Sequence, residues 1–598
     1  ATQLGTSFLL FMTASAIMGT FPLLVASLVC ACVTAESVSA ASQPSRVVVD
    51  TDSGQLAGRV NGTISQTACS FFPIIKLFPE PPGAQNVAAF LGVPYAAPPT
   101  GEGRFRPPSP IKPWTGVREA TTPGAVCAQV GFNGLVKEPD FLQSSFNEDC
   151  LFLNIWAPVQ SDGSMGTSRP ILVFLHGGGF LGGSGYQEMN CAFYNGQQFA
   201  ADSGLIFVTL NYRVGLLGFL ADPELKDESG TTGNYGLQDQ RAAIAWVQRN
   251  AAKFGGDASK ITIMGESAGG SSVLHHLVLP QSQGLFSKAI TMSGYTTTWD
   301  LTEAYNFSEK LAAAVACTGS TSRAECLRRK STRDLIVAEE HLVFAGKTDQ
   351  VDRMLFFGPV SDGSELPEGI SFEEAMQKAR TRVPLLIGTN TNETNLFQCG
   401  VSDKMSHGDV KSYLSERLHY FFPGSQATAE DVDDILQQYP EFPNPKGSLM
   451  AVSTDMWFTC AAERVARRFS GFGAPVYKYL LNRPAAPCKL DSCLGTPHAT
   501  DIFLIFSGAF PEKMQQIVVG DTTEQELAKA LRDSVARFAK DGSPGPLWPR
   551  WTYAEDTLQL GSDNSSEFLK VHGYRRDICA LMEKKFSSPR GTSSSILV

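Results

Sequence analysis

Apolar and polar positions follow two rhythms along this chain. From about residue 150, short continuous apolar runs recur at 151–156, 171–175, 206–210, 261–264, 289–292, 383–387 and 476–481. Runs of this kind mark strands buried on both faces, as in a mostly parallel sheet covered by helices. Between them lie stretches with helical spacing, such as 237–253, which stops at Phe254-Gly255-Gly256-Asp257 with a glycine end signal. Upstream, residues 46–49 and 55–60 flank turn chemistry at Asp52-Ser53-Gly54 and predict a β-hairpin. Residues 61–85 look like a loop insertion, and 88–98 resume a strand that ends in a rigid proline turn. With no internal repeat and no linker, 45–586 count as a single α/β domain, and the Ser-rich stretch 587–598 as a disordered tail.

The first charged residue is Glu36, and residues 8–33 are almost continuously apolar or small. Small residues then crowd Ser37-Val38-Ser39-Ala40-Ala41, which suits a signal-peptidase site. Residues 1–40 are therefore expected to be a cleaved signal peptide. The alternative is an uncleaved anchor, because the apolar run can span a bilayer. In either case the rest of the chain faces an oxidising compartment, secreted or lumenal, and touches membrane only through this segment if it is uncleaved.

Composition narrows the classes further. Hydrophobic content of 43%, 18% charge and a net charge of −10 describe a globular protein with a large core and no basic footprint for nucleic acid. Of 13 cysteines, Cys30 and Cys32 lie in the leader, which leaves an odd number downstream and at least one free or paired between chains. Asn61, Asn306 and Asn564 head glycosylation sequons.

The sharpest chemical signal is Ile261-Thr262-Ile263-Met264 running into Gly265-Glu266-Ser267-Ala268-Gly269, with a helix-like run at 271–279 behind it. Strand, tight turn and helix together are the setting of a nucleophile elbow, whose turn only small residues clear. Ser267 at the apex presents its hydroxyl, and the Ala268 N–H faces an oxyanion formed beside it. A serine hydroxyl at its ordinary pKa is a poor nucleophile and needs a base, an orienting acid and oxyanion donors. The run 171–175 opens into His176-Gly177-Gly178-Gly179-Phe180, the HGGG type of oxyanion loop. Gly177, Gly179 and Gly182 also satisfy a dinucleotide fingerprint, but Gly182-Gly183-Ser184-Gly185 continues the loop where that motif needs a helix. Asp202 precedes the next strand instead of ending it. No nicotinamide or other cofactor is expected, and no Cys/His spacing supports a tetrahedral metal site.

After about residue 45 the chain resembles the type-B carboxylesterase and cholinesterase family of α/β-hydrolases over nearly its whole length. The resemblance rests on the two glycine motifs above together with Phe90-Leu91-Gly92-Val93-Pro94-Tyr95-Ala96, Glu148-Asp149-Cys150, Asn211-Tyr212-Arg213-Val214-Gly215 and residues 233–240. It implies an α/β-hydrolase fold, with a large mostly parallel sheet flanked by helices and with lid and gorge insertions. It also implies hydrolysis of a small-molecule or lipid ester through an acyl-enzyme, with Gly178, Gly179 and Ala268 as oxyanion donors.

In this fold the triad runs Ser, acid, His along the chain. His498, in Gly495-Thr496-Pro497-His498, looks like the family's histidine loop. His407, His419 and His572 fall in a polar loop, an amphipathic helix and the C-terminal region. Strand 383–387 leads to Glu393, beyond its carboxyl end where catalytic groups gather in open α/β sheets. The family's usual glycine after this acid is here Thr394, a residue ill-suited to positive φ. Thr394 also makes Asn392 a sequon, expected to stay unmodified because a glycan would crowd the acid. Glu266 is expected to hold buried polar structure.

By resemblance, Cys127 pairs with Cys150 and Cys317 with Cys326, and Cys488 with Cys493 is a candidate third bridge. The loop from Cys127 to Cys150 carries Phe132, Leu135, Phe141, Leu142 and Phe146 but no Trp. Cholinesterases bind quaternary ammonium on a tryptophan in this loop, so its absence argues against choline esters. The phenylalanines leave a lipase acting on acylglycerols as the alternative. A non-catalytic adhesion protein of the same family is the distant one, because all three triad residues are present.

Overall fold

The computed structural model describes residues 46–586 apart from 61–85, 131–145, 187–192, 228–229, 345–356, 368–371, 380, 423–424, 426, 443, 485–491, 508–518 and 563–564. The leader, the tail, Asn61, Asn564, Cys69, Cys191, Cys488 and most of the Phe-bearing loop lie outside the described residues.

The apolar runs become strands of one sheet. The strands are β1 (Arg46–Asp50), β2 (Gln55–Val60), β3 (Val87–Pro94), β4 (Val117–Glu119), β5 (Val126–Cys127), β6 (Phe146–Asn147), β7 (Phe152–Pro158) and β8 (Arg169–Leu175). They continue with β9 (Ile206–Leu210), β10 (Gly256–Glu266), β11 (Lys288–Met292), β12 (Leu385–Asn390), β13 (Val476–Leu481), β14 (Asp556–Ser562) and β15 (Ser565–His572). The sheet order is β1-β2-β3-β7-β9-β8-β10-β11-β12-β13-β14-β15, with β4 beside β2 and with β5 and β6 paired apart. Pairing is parallel from β9 through to β14, with antiparallel strands at both ends.

Helices α1 (Gly215–Phe219), α2 (Tyr235–Asn250), α3 (Ala268–Val278), α4 (Leu301–Ala314), α5 (Thr332–Phe344), α6 (Cys460–Gly471), α7 (Thr500–Phe506) and α8 (Thr522–Asp541) frame the site. Alternate residues of one strand enter two different cores. Ile171, Val173 and Leu175 pack in a cluster with Trp246 of α2 and Leu274 of α3. Leu172 and Phe174 pack in another with Phe506 of α7 and Phe538 of α8. A strand apolar on both faces has no polar alternation, which is why these runs read as continuous. Burying each such side chain contributes about 1.5–3 kcal/mol.

The expected hairpin β1–β2 forms, with Asp50 opposite Gln55. Strand β12 starts two residues later than the apolar run predicts, after Pro384, which accepts from Ala289 N but has no N–H to give. The apolar stretch 501–506 is helical, and His407 opens a helix, His407–Phe421, instead of lying in a loop.

Cys127–Cys150 and Cys317–Cys326 are bonded, as are Cys399–Cys493 and Cys460–Cys579. The Cys488–Cys493 pairing is therefore corrected: Cys493 bonds to Cys399, 94 residues away. Closeness in sequence suggested the short loop. The topology overrides it, because the segment after β12 and the segment before His498 lie side by side, Asn392 N donating to Thr496 O at 3.0 Å. Closing a loop of that length constrains the unfolded chain by up to about 4.7 kcal/mol in the chain-entropy model. The double variant Cys399→Ser/Cys493→Ser is expected to unfold several degrees earlier than wild type in differential scanning calorimetry at one scan rate. An unchanged midpoint would contradict this.

No helix among the described residues is long and apolar enough to cross a membrane.

Candidate active site

Strand β10 ends at Glu266 and α3 begins at Ala268, so Ser267 alone makes the turn, at φ 58° and ψ −124°. That geometry strains any residue with a Cβ and persists only where the surroundings impose it. The imposition is visible: a Cβ on Gly265 would lie 2.2 Å from Gly269 O, and one on Gly269 would lie 2.0 Å from Leu175 O. Ser267 N donates to Met292 O of β11 at 2.9 Å, and Ser267 O accepts from Ser271 N at 2.8 Å. The residue is 3% exposed.

The loops after β12 and β13 bring Glu393 and His498 together. His498 Nδ1 stands 2.6 Å from Glu393 Oε2, and His498 N donates to Glu393 O at 3.1 Å. The other carboxylate oxygen accepts from Ser293 Oγ at 2.6 Å and Asn390 N at 2.7 Å. Glu393 is fully buried, so each of these donors offsets desolvation. Thr394 sits at φ −75°, in ordinary helical space, so no glycine is needed there. Its Oγ1 donates to Met450 O at 2.8 Å and its N–H to Thr454 Oγ1 at 3.1 Å, anchoring the loop that carries Glu393. Asn392 is half-buried, and its Oδ1 accepts from Thr496 N at 3.0 Å, facing the histidine loop.

His498 Nε2 has no hydrogen-bond partner among the described residues and lies 3.3 Å from Glu266 Oε1. Ser267 and His498 are thus not hydrogen-bonded to each other. Burial disfavours the His498 cation, but the carboxylates of Glu266 and Glu393, with Asp501 behind them, outweigh it and raise its pKa to about 9. Burial, then the charge of Glu393, raises Asp501 to about 6. Tyr479 donates its hydroxyl to Asp501 Oδ2 at 2.7 Å. Aromatic rings wall the imidazole, Phe458 at 4.9 Å and Phe397 at 5.3 Å between centroids. Phe458 comes from a one-turn π-helix, Asp455–Thr459, between two α-helices.

The glycine loop leaves β8 and folds back on itself, Gly178 O accepting from Leu181 N and Gly182 N. No acceptor among the described residues takes the N–H groups of Gly178, Gly179 or Ala268. A Cβ on Gly177 would lie 3.0 Å from Ser267 Cβ, so the loop abuts the serine. His176 behind it is held neutral by burial, its pKa lowered to about 4, and stacks on Tyr212 at 4.2 Å. Gln129 clamps the loop from the Cys127 side, donating to Gly183 O at 2.9 Å and accepting from Gly183 N at 2.7 Å.

Several of these residues escape sequence reasoning. Ser293, Asn390 and Phe458 carry no motif, and Glu266 is buried as expected but also faces His498 Nε2. One signal was available for Ser293: it follows β11 as Ser267 follows β10, and it too takes positive φ. Asn306 lies exposed on α4, open to modification. Phe132, Leu135, Phe141 and Leu142 lie outside the described residues.

A family model described as Carboxylesterase family matches residues 78–576. Carboxylesterase 1E of Mus musculus is 32% identical over 80% of this chain and 86% of its own length. Liver carboxylesterase of Sus scrofa is 32% identical over 91% of this chain and 94% of its own. Among solved structures, PNB esterase superposes with a TM-score of 0.71 at 28% identity, covering 89% of this chain and 99% of that one. A serine-bearing elbow on a mostly parallel sheet, matched along nearly the whole length by esterases, places the chain in the carboxylesterase family, as a carboxylic ester hydrolase of the α/β-hydrolase fold.

Proposed function

We propose that Ser267, His498 and Glu393 are the catalytic triad of this esterase, with Gly178, Gly179 and Ala268 as its oxyanion hole. The observation that carries the reading is the buried 2.6 Å contact between His498 Nδ1 and Glu393 Oε2, which fixes the imidazole proton on Nδ1 and frees Nε2 to accept. His498 takes the Ser267 proton as the hydroxyl attacks the ester carbonyl. The tetrahedral oxyanion draws the three unused N–H groups, and His498 then returns the proton to the leaving alcohol. Water repeats the cycle on the acyl-enzyme. The rings of Phe458 and Phe397 beside His498 favour esters with an apolar acyl or alcohol group. Hydrolysis of p-nitrophenyl esters across acyl lengths, with mass-spectrometric mapping of a fluorophosphonate adduct, tests this directly. A folded enzyme that hydrolyses the esters but carries no adduct on Ser267 refutes it.

The electrostatics add a pH signature. The base works only when neutral, and its raised pKa means that activity is lost as pH falls through a value above the 6.5 of free imidazole. Glu266 is the strongest of the charges that raise it. Glu266→Gln is therefore expected to move the acid limb of kcat/KM to lower pH. A limb that stays put, or climbs, removes Glu266 from the account.

The four disulfides among the described residues suit an oxidising compartment. With residues 1–40 read as a cleaved signal, the enzyme is secreted. N-terminal sequencing of material from the culture medium checks this, and a start at Ala1 contradicts it.

A further inference from the structure

A buried carboxyl that the proposed mechanism does not use stands behind the oxyanion loop. Glu339, on α5, is fully buried. Its Oε1 accepts from Leu216 N at 2.9 Å, and its Oε2 has no hydrogen-bond partner among the described residues. Leu216 is the second residue of α1. The first, Gly215, donates its N–H to Phe180 O at 2.6 Å, and Phe180 directly follows Gly179. The Phe180 ring also packs edge-on against Phe219, the last residue of α1, at 5.0 Å. So α1 grips the end of the glycine loop by backbone and by ring, and Glu339 grips α1. The grip is tight: Gly215 sits at φ +56°, and a Cβ there would lie 2.3 Å from Glu339 Oε1.

We propose that Glu339 is a positioning residue for ester hydrolysis, holding α1 so that Phe180, and with it Gly178 and Gly179, presents N–H groups at the oxyanion. The proposal rests on the reading of Gly178 and Gly179 as oxyanion donors. A single backbone acceptor would be enough to hold Leu216, so a buried carboxyl here is costly unless it stays protonated. Burial does raise its pKa, to about 8, partly countered by the Leu216 N–H.

The charged surroundings are sparse. Helix α1 carries no titratable group. On α4, which packs on α5, Glu303, Glu309 and Lys310 are exposed and Tyr305 is half-buried. On α5 itself, Arg333, Asp334 and His341 are exposed and Glu340 is half-buried. The buried Arg104–Glu148 pair meets α5 only at Thr332, about two turns away. A carboxyl whose folded pKa lies above its unfolded value supports the fold fully at low pH and loses that support as pH rises through the folded value. The oxyanion loop is thus expected to loosen above about pH 8.

The test compares wild type, Glu339→Gln and Glu339→Ala on a p-nitrophenyl ester and on a trifluoromethyl ketone, whose serine adduct places an anionic oxygen among the oxyanion donors. Glu339→Ala should lower kcat about 10- to 100-fold with KM within about twofold, and weaken the ketone by a similar factor. Glu339→Gln keeps an acceptor for Leu216 N and should restore kcat to within about threefold. Because the limb set by His498 is common to both proteins, the ratio of Glu339→Gln to wild-type kcat should rise as pH passes about 8. Equal loss in both variants, an undiminished ketone affinity in Glu339→Ala, or a ratio of Glu339→Gln to wild-type kcat that stays flat across pH 8 each overturns the proposal. If Glu339→Ala does not fold, the pH profile of Glu339→Gln decides alone. Failure of the parent reading looks different, because wild type itself would then neither bind the ketone tightly nor accept a fluorophosphonate at Ser267.

Discussion

Ser267→Ala is expected to lower kcat for p-nitrophenyl esters by about a million-fold, down to the rate that the remaining site supports without a nucleophile. The loss should be almost purely chemical. Alanine keeps the Cβ that already tolerates φ 58°, and Gly265 and Gly269 still clear the turn, so α3 and its contacts with β10 and β11 should remain. What disappears is the hydroxyl. KM should change little, because the walls around His498 and the N–H groups of the glycine loop are intact. Circular dichroism and the unfolding midpoint should match wild type, and the fluorophosphonate adduct should vanish. If the variant retained more than about a thousandth of the activity, the attacking group would have to lie elsewhere. His498 Nε2 lies 3.3 Å from Glu266 beside the turn, so a replacement would be sought among hydroxyls near that nitrogen.

How much of this was legible beforehand depends on whether a feature is local. The elbow was legible, because a strand, a turn crowded by carbonyls and a helix write themselves into adjacent residues: Gly265 and Gly269 are small for a reason that their own neighbours supply. The central strands were legible because both faces are apolar. Strands β14 and β15 were missed for the opposite reason. Asp556–Ser562 mixes buried and half-buried positions, and β15 has only one partner, so neither makes a continuous apolar run. Glu393 was proposed as the acid from its place after a strand, while Thr394 raised an objection that only the backbone angle removes. Contacts between distant segments left no local trace. Cys399 with Cys493, Glu339 with Leu216 and Glu266 with His498 are each decided by which loops the sheet order brings together.

Glu393→Gln is expected to lower kcat by about ten-thousand-fold, comparable to losing the orienting acid in other serine triads. The hydrogen-bond inventory explains why a change of one atom costs so much. Glu393 Oε1 accepts from Ser293 Oγ and Asn390 N, so a glutamine would keep its carbonyl there, since a turned amide would set N–H against two donors. Its NH2 then faces His498 Nδ1, where an acceptor is required. The imidazole can answer only by moving its proton to Nε2, the nitrogen that must receive the proton of Ser267. The protein should stay folded, with fluorophosphonate labelling slowed in proportion to kcat. The buried cation that forms during turnover also loses its nearest counter-charge, although Glu266 still stands 3.3 Å from Nε2. Glu393→Asp keeps the charge but retracts it by one methylene, so it should fall between the two, one to two orders below wild type. The ordering wild type, Asp, Gln is the diagnostic part, because a merely structural glutamate would rank the isosteric Gln above the shortened Asp. Measured kcat values in that reversed order, or Glu393→Gln within tenfold of wild type, would take the acid's role away from Glu393.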